Sequence, residues 1–188
     1  MTHPRWFAYT AVSLLVPALM EGAEPLPDGE FLKVAMTGGS VEAGKLIFAD
    51  QRTACSQCHS VDNSASGLGP DLYAAGDKFT RADLARSVLD PSSSIMTGYA
   101  TTILENRRGE RFQGILRNWT DEFVVLGQVG GVDLWIARSE VVKEETGAVS
   151  LMPPGLHSQL TPAEFRDLVA YLESLRQPET KVVQKAGT

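Results

Sequence analysis

The feature that most constrains this chain is the string Cys55-Ser56-Gln57-Cys58-His59, which holds the only two cysteines among 188 residues. Two thiols three positions apart can add to the two vinyl groups of one haem, and the histidine that follows is then placed under the iron as its proximal ligand. The spacing therefore predicts one covalently attached haem c, held by Cys55 and Cys58, with His59 on the metal.

Three other uses of these residues are open. A structural disulfide between Cys55 and Cys58 would leave His59 without a role. A thioredoxin-like redox pair would open a helix within a βαβ unit, and the preceding sequence supplies no strand for one. A zinc site needs four ligands, so Cys55, Cys58, His59 and His157 would all have to take part.

The charge balance argues against one class of function. Lys and Arg number 17 and Asp and Glu number 23, so the formal net charge is −6. Nucleic-acid binding depends on a basic face that neutralises phosphates. We therefore expect no nucleic-acid partner.

The first residues are typical of a secretory signal. Arg5 precedes an apolar run from about Trp6 to Met20, which is short of the roughly 20 apolar residues that a bilayer span requires. Ala23 offers a small residue for cleavage. We expect a signal peptide at 1–23, a periplasmic or otherwise extracytoplasmic protein, and no membrane span after cleavage. An uncleaved N-terminal anchor is the alternative.

Three later stretches carry helix-capping signals, in which a Ser or Thr precedes an apolar periodic run. They begin at Ser40, at Thr80 with Asp83, and at Thr161 with Pro162 and Glu164. Residues 24–39 contain scattered Pro and Gly and predict a linker or an extended arm, whereas 177–188 predict a flexible tail.

A different pattern occupies residues 99–149. Short runs of β-branched and aromatic residues alternate with three turn signals, which predicts a four-stranded meander. Its two tryptophans, Trp119 and Trp135, are expected in a core, because large aromatic side chains are mostly buried. A docking face for a partner is the alternative.

Taken in order, these pieces resemble a c-type cytochrome, in particular the monohaem CxxCH domain of the planctomycete and verrucomicrobial haem-binding type. The motifs that carry the resemblance are CxxCH, Gly69-Pro70-Asp71-Leu72, a helix ending in LDPS, and SLMPPGL before the last helix. The resemblance covers about 40–176. It implies a mainly α cytochrome c fold with 99–149 as an inserted small antiparallel β lobe, α+β overall.

The resemblance also implies roles for single residues. The carbonyl of Pro70 would accept a hydrogen bond from His59 and fix its ring, and Leu72 would join the haem-binding set. Gly44 and Phe48 would let the last helix cross closely at Tyr171. The axial methionine of the family lies in a Met-Pro context, which here is Met152 followed by a proline that restrains the backbone.

The sixth ligand has alternatives. Met96, in a Ser-rich loop, is the runner-up to Met152. His157 could give bis-His ligation, but its place just before a helix is more typical of a surface residue. Met36 lies in the expected arm, too far upstream.

The expected function is that of an exported monohaem cytochrome that carries single electrons between redox partners. The partner would be a dehydrogenase, an oxidase or another cytochrome, and the chain itself would not be an enzyme. The alternative is a haem-based ligand binder or sensor with a displaceable sixth ligand. A peroxidase ranks last, because the sequence has one CxxCH and no evident distal histidine.

Overall fold

The computed structural model describes residues 28–65 and 67–178. The expected signal peptide and most of the expected tail lie outside these residues. The helices are α1 (Asp28–Ala35), α2 (Val41–Ala49), α3 (Cys55–Cys58), α4 (Ala75–Lys78), α5 (Arg81–Leu89) and α6 (Pro162–Ser174). The strands are β1 (Thr101–Asn106), β2 (Arg111–Trp119), β3 (Phe123–Gln128), β4 (Val132–Ala137) and β5 (Val141–Thr146).

The expectation of a mainly helical cytochrome c fold is wrong. Helix accounts for 36% and strand for 22% of the described residues, and a five-stranded antiparallel sheet accompanies six short helices. Two of those helices are single turns of four residues each, at Cys55–Cys58 and Ala75–Lys78. The sheet is therefore a major part of an α+β architecture and not a small lobe on a helical protein.

The three predicted helix starts are confirmed. Ser40 accepts a hydrogen bond from the amide of Ala43 at the start of α2, and both Thr80 and Thr161 form complete capping boxes with the residues three positions on. Each box satisfies amides that have no partner within the helix. These local signals fix where α2, α5 and α6 begin.

Helices α2 and α6 cross at a glycine. A Cβ on Gly44 would collide with the backbone carbonyl of Asp167 and would lie 2.7 Å from the Cβ of Tyr171. The rings of Phe48 and Tyr171 pack with centroids 5.5 Å apart. The expected close crossing at these residues is therefore present.

The segment 24–39 contains a helix where a linker or arm was expected. Phe31 and Ala35, four positions apart and so on one face of α1, are buried in the same core as Phe165 of α6. Burial of that face stabilises a short helix that its own sequence would not sustain in water. Met36, just beyond α1, also packs against this core.

The sheet has the order β4-β3-β2-β1-β5. The first four strands form the predicted antiparallel meander, but the prediction of four strands is wrong. The last apolar run of the segment, from Val132 to Val142, is not one strand: a 3-10 turn at Arg138–Glu140 divides it into β4 and β5, and β5 returns to pair with β1. This pairing is long-range and leaves no local signal in the sequence.

Buried apolar side chains form two cores. The first joins the helices and includes Phe48, Leu84, Phe165 and Leu168; the second lies within the sheet, at Leu104, Val124, Leu126 and Ile136. Trp119 packs against the second core, whereas Trp135 is 61% exposed, contrary to expectation. Within the described ranges, no helix is long and apolar enough to cross a membrane.

Candidate functional site

The candidate site begins on the single turn α3. Its residue before the first cysteine, Ala54, has left-handed backbone angles (φ 53°, ψ 19°), and the amide of His59 closes the turn on the carbonyl of Cys55 at 2.9 Å. The buried Thr53 ties the turn to the end of α2, because its hydroxyl donates to the carbonyl of Ile47 at 2.6 Å. The two cysteines and the histidine thus lie on one tightly anchored turn.

Cys55 and Cys58 are both free thiols and both partly buried. Burial raises the pKa of each thiol, so both are protonated at neutral pH. A redox-active Cys-x-x-Cys pair depends on the opposite shift, a lowered thiol pKa that supplies thiolate. In addition, α3 follows a helix and not a strand in the described order of elements. These observations disfavour the thioredoxin-like alternative.

The ring of His59 is held by the segment that follows the motif. Its Nδ1 lies 2.8 Å from the carbonyl oxygen of Pro70, as the resemblance implied. Because a carbonyl only accepts, Nδ1 carries the proton, and the lone pair of the neutral ring is on Nε2. Gly69 lies against the ring, where a Cβ would be 2.6 Å from the His59 Cε1 atom. The ring orientation therefore depends on a glycine and a carbonyl.

The electrostatics of His59 favour its neutral form. Burial lowers the pKa of His59, while the bond to Pro70 and the charge of Asp71 oppose the shift without cancelling it. A neutral imidazole with its Nδ1–H bound to a carbonyl is the form in which histidine ligates metals.

Asp71 stabilises the loop through hydrogen bonds that the CxxCH motif does not predict. Its carboxylate accepts hydrogen bonds from the hydroxyl of Ser60 at 2.6 Å, from the amide of Tyr73 at 2.6 Å and from the amide of Ala65 at 3.1 Å. The amide of Leu72 also bonds the carbonyl of Ser60 at 2.8 Å. An Asp in a turn-rich Gly-Pro-Asp sequence is a signal for such side-chain-to-backbone bonds.

Several predicted site residues pack against the first core. Cys55, Leu72 and Met152 are each partly buried and pack against it. Met96, the runner-up ligand, is 43% exposed. The packing therefore favours Met152 over Met96 as the methionine available to a group held by Cys55.

His157 is buried, not at the surface as expected. It is 7% exposed, its Nε2 lies 2.9 Å from Oδ1 of Asp28, and its ring packs edge-on against Phe31 and Phe165. It lines a cavity of about 450 Å³ together with Asp28 and Leu160. Through these contacts, His157 joins α1 to α6.

In the described part of the chain, no group of three or more His, Cys, Asp or Glu side chains could hold a metal ion.

Comparison with protein-family models and with curated proteins finds no match for this chain. The resemblance that the motifs suggest therefore remains a prediction.

Proposed function

We propose that the chain is a monohaem c-type electron-transfer protein. The observation that carries the proposal is the joint geometry of the CxxCH turn: two free thiols one turn apart, followed by a histidine whose Nδ1 is 2.8 Å from the Pro70 carbonyl. A disulfide or a redox pair gives no reason for that histidine to be oriented.

The residues fit a covalent haem. Cys55 and Cys58 would hold it through thioether bonds, His59 would ligate iron through Nε2, and Met152 would supply the sixth ligand. Gly69 leaves the space beside the His59 ring that a Cβ would fill. When bound, the haem supplies one-electron redox chemistry at iron.

The chain's own residues would tune that chemistry. Donation from Nδ1–H to the Pro70 carbonyl makes the imidazole a better electron donor. The apolar core against which Cys55, Leu72 and Met152 pack disfavours the additional positive charge of ferric iron, which would raise the reduction potential of the haem. A thioether ligand would raise that potential further. Burial raises the pKa of both partly buried thiols, so little thiolate would be available to react with oxidants before haem is attached.

We further propose an extracytoplasmic location and a redox protein as partner: a dehydrogenase, an oxidase or another cytochrome. The proposal of export depends on residues 1–23. A net charge of −6 would favour a partner with a basic docking face, and association would then slow as salt is added.

The test is to express the protein in a host that matures c-type cytochromes and to record ferric and dithionite-reduced spectra, the latter with and without CO. Sharp reduced bands that CO does not change would support covalent haem with a closed sixth site. Rapid binding of CO would favour the ligand-binder alternative. A haem-free product, in a host that matures other such proteins, would contradict the proposal.

Substitution of the two candidate methionines identifies the sixth ligand. We expect Met152→Ala to bind CO and Met96→Ala, the matched control, to keep the wild-type reduced spectrum, because Met96 is exposed whereas Met152 packs against the same core as Cys55. CO binding by Met96→Ala alone would assign the ligand to Met96 instead.

A further inference from the structure

Arg117, near the end of β2, joins the sheet to the loop that follows the CxxCH motif. Its Nη2 donates to the carbonyl oxygen of Gly67 at 3.1 Å, and its Nε lies 3.2 Å from Oδ1 of Asp133 on β4. The side chain is 32% exposed. The planar guanidinium can make both contacts at once because its donors point in fixed, different directions.

A second contact holds residues Gly67 and Leu68 on the sheet. Leu68 is 7% exposed, and a Cβ on Gly127 of β3 would lie 3.0 Å from the Leu68 Cδ1 atom and 2.5 Å from Nε of Arg117. Because Gly127 has no side chain, the side chains of Leu68 and Arg117 can pack directly against its backbone. Gly67 and Leu68 are therefore held by one hydrogen bond and by one buried side chain.

The other end of this short segment holds His59. The amide of Gly69 bonds the carbonyl of Cys58 at 2.8 Å, Gly69 lies against the imidazole, and the carbonyl of Pro70 accepts from Nδ1. Residues 67–70 therefore span the distance between the sheet and the histidine.

From these contacts we propose that Arg117 is a positioning residue for His59. The sheet, through Arg117 and Leu68, holds 67–70 so that the Pro70 carbonyl stays on Nδ1, and this contact sets the strength of His59 as an iron ligand. The inference rests on the proposed function. It gives the sheet a role in the site, because the potential of the haem would depend on a residue of β2.

Arg111 provides a matched control for the experiment. It lies on the same strand, is also exposed and ion-paired, and its Nη2 is 3.2 Å from Glu145 of β5. Arg117→Gln and Arg111→Gln remove the same charge from β2, and only the first loses the bond to Gly67. Arg117→Lys is the milder variant, since one ammonium cannot replace two diverging donors.

Two measurements on the haem-loaded protein separate positioning from a merely structural role. We expect Arg117→Gln to raise the midpoint potential, because a weaker Nδ1–H bond makes His59 a poorer donor to ferric iron. The amides of Gly69 and Leu72 should exchange with deuterium about five- to tenfold faster, which corresponds to the loss of one hydrogen bond. Arg117→Lys should shift both quantities in the same direction by less, and Arg111→Gln should shift neither.

The proposal is overturned if Arg117→Gln and Arg111→Gln have the same potential and the same exchange rates as the wild type. It is also overturned if exchange at Gly69 quickens while the potential stays unchanged, since Arg117 would then support the loop without positioning His59. If Arg117→Gln does not fold, Arg117→Lys decides by the same two criteria. A wild-type protein without haem would instead refute the proposed function, whatever Arg117 does.

Discussion

The helical part and the sheet bury very different amounts of apolar side chain. Among the described residues, the core of the helices contains fifteen buried side chains, from Phe31 to Leu172, whereas the core of the sheet contains four. Cys55, Leu72 and Met152 all pack on the larger core. The candidate site thus lies on the part with the larger core, and the sheet contacts its loop through Arg117 and Leu68.

The largest expected effect tests this difference with the same substitution in each core. Leu168 is 1% and Leu126 0% exposed. Leu-to-Ala changes in cores cost about 2.7–5 kcal/mol, and the cost rises with the cavity that remains. We expect Leu168→Ala near the upper end, because several helices hold its surroundings in place, and Leu126→Ala near the lower end, because its half-buried cross-strand partners Leu116 and Leu134 can move inward.

Urea unfolding of both variants measures the two losses. Equal losses would mean that the sheet core is as rigid as the helical one, and the contrast between the two regions would fail.

Whether the sequence predicts a structural feature depends on how far apart along the chain the interacting residues lie. The caps at Ser40, Thr80 and Thr161 were predictable because each is satisfied within its own helix turn. The return of β5 to β1 was not, because nothing near Val141 specifies a partner some forty residues away. Helix α1 was missed for the same reason, since it depends on burial against α6.

The site shows the same division. Cys55, Cys58, His59 and Pro70 follow from one short motif and its resemblance, and the Pro70 bond is present. The contact of Arg117 with Gly67 joins residues fifty positions apart, so no pattern along the chain indicates it. Trp135 and His157 were assigned to the wrong environments because burial is decided by which elements pack together, not by residue type alone.

A smaller effect on the free energy of unfolding is expected at the crossing of α2 and α6, where Gly44 allows close packing. Gly44→Ala places a methyl group against the backbone carbonyl of Asp167, which cannot rotate away. We expect a loss of about 1–3 kcal/mol, the usual cost of overpacking. Gly29→Ala in α1 is the control, since a Cβ there meets nothing within 4 Å, and its better helix propensity should stabilise the protein by up to about 1 kcal/mol.

Thermal unfolding of the two glycine variants checks the sign of each change. A neutral Gly44→Ala would show that α2 and α6 separate easily, and the helical core would then be less rigid than its burial suggests.

The smallest expected effect is on stability at acid pH, and it concerns one carboxylate from each region, Asp71 in the loop and Glu145 in β5. Burial raises the pKa of Asp71, but hydrogen bonds from Ser60 and from backbone amides outweigh it and hold the pKa below its ordinary value. The hydrogen bond and charge of Lys143 lower the pKa of Glu145, with a further contribution from Arg111. In both cases the folded-state pKa is the lower one. The stabilisation is therefore fully present above the unfolded pKa, about 3.9 for Asp and 4.3 for Glu, and is lost as the pH falls through the folded value.

Salt distinguishes the two carboxylates, because it screens exposed ion pairs but hardly affects bonds to neutral donors. We expect Asp71→Asn to flatten the acid limb of stability, measured by urea midpoints from about pH 6 to about pH 2, at both low and high salt. Glu145→Gln should flatten it only at low salt, since the Debye length falls from about 30 Å at 0.01 M to about 3 Å at 1 M. If high salt abolishes the Asp71 effect as well, that carboxylate is held by charges and not by the loop's own hydrogen bonds. The loop would then be no better protected from solvent than the edge of the sheet.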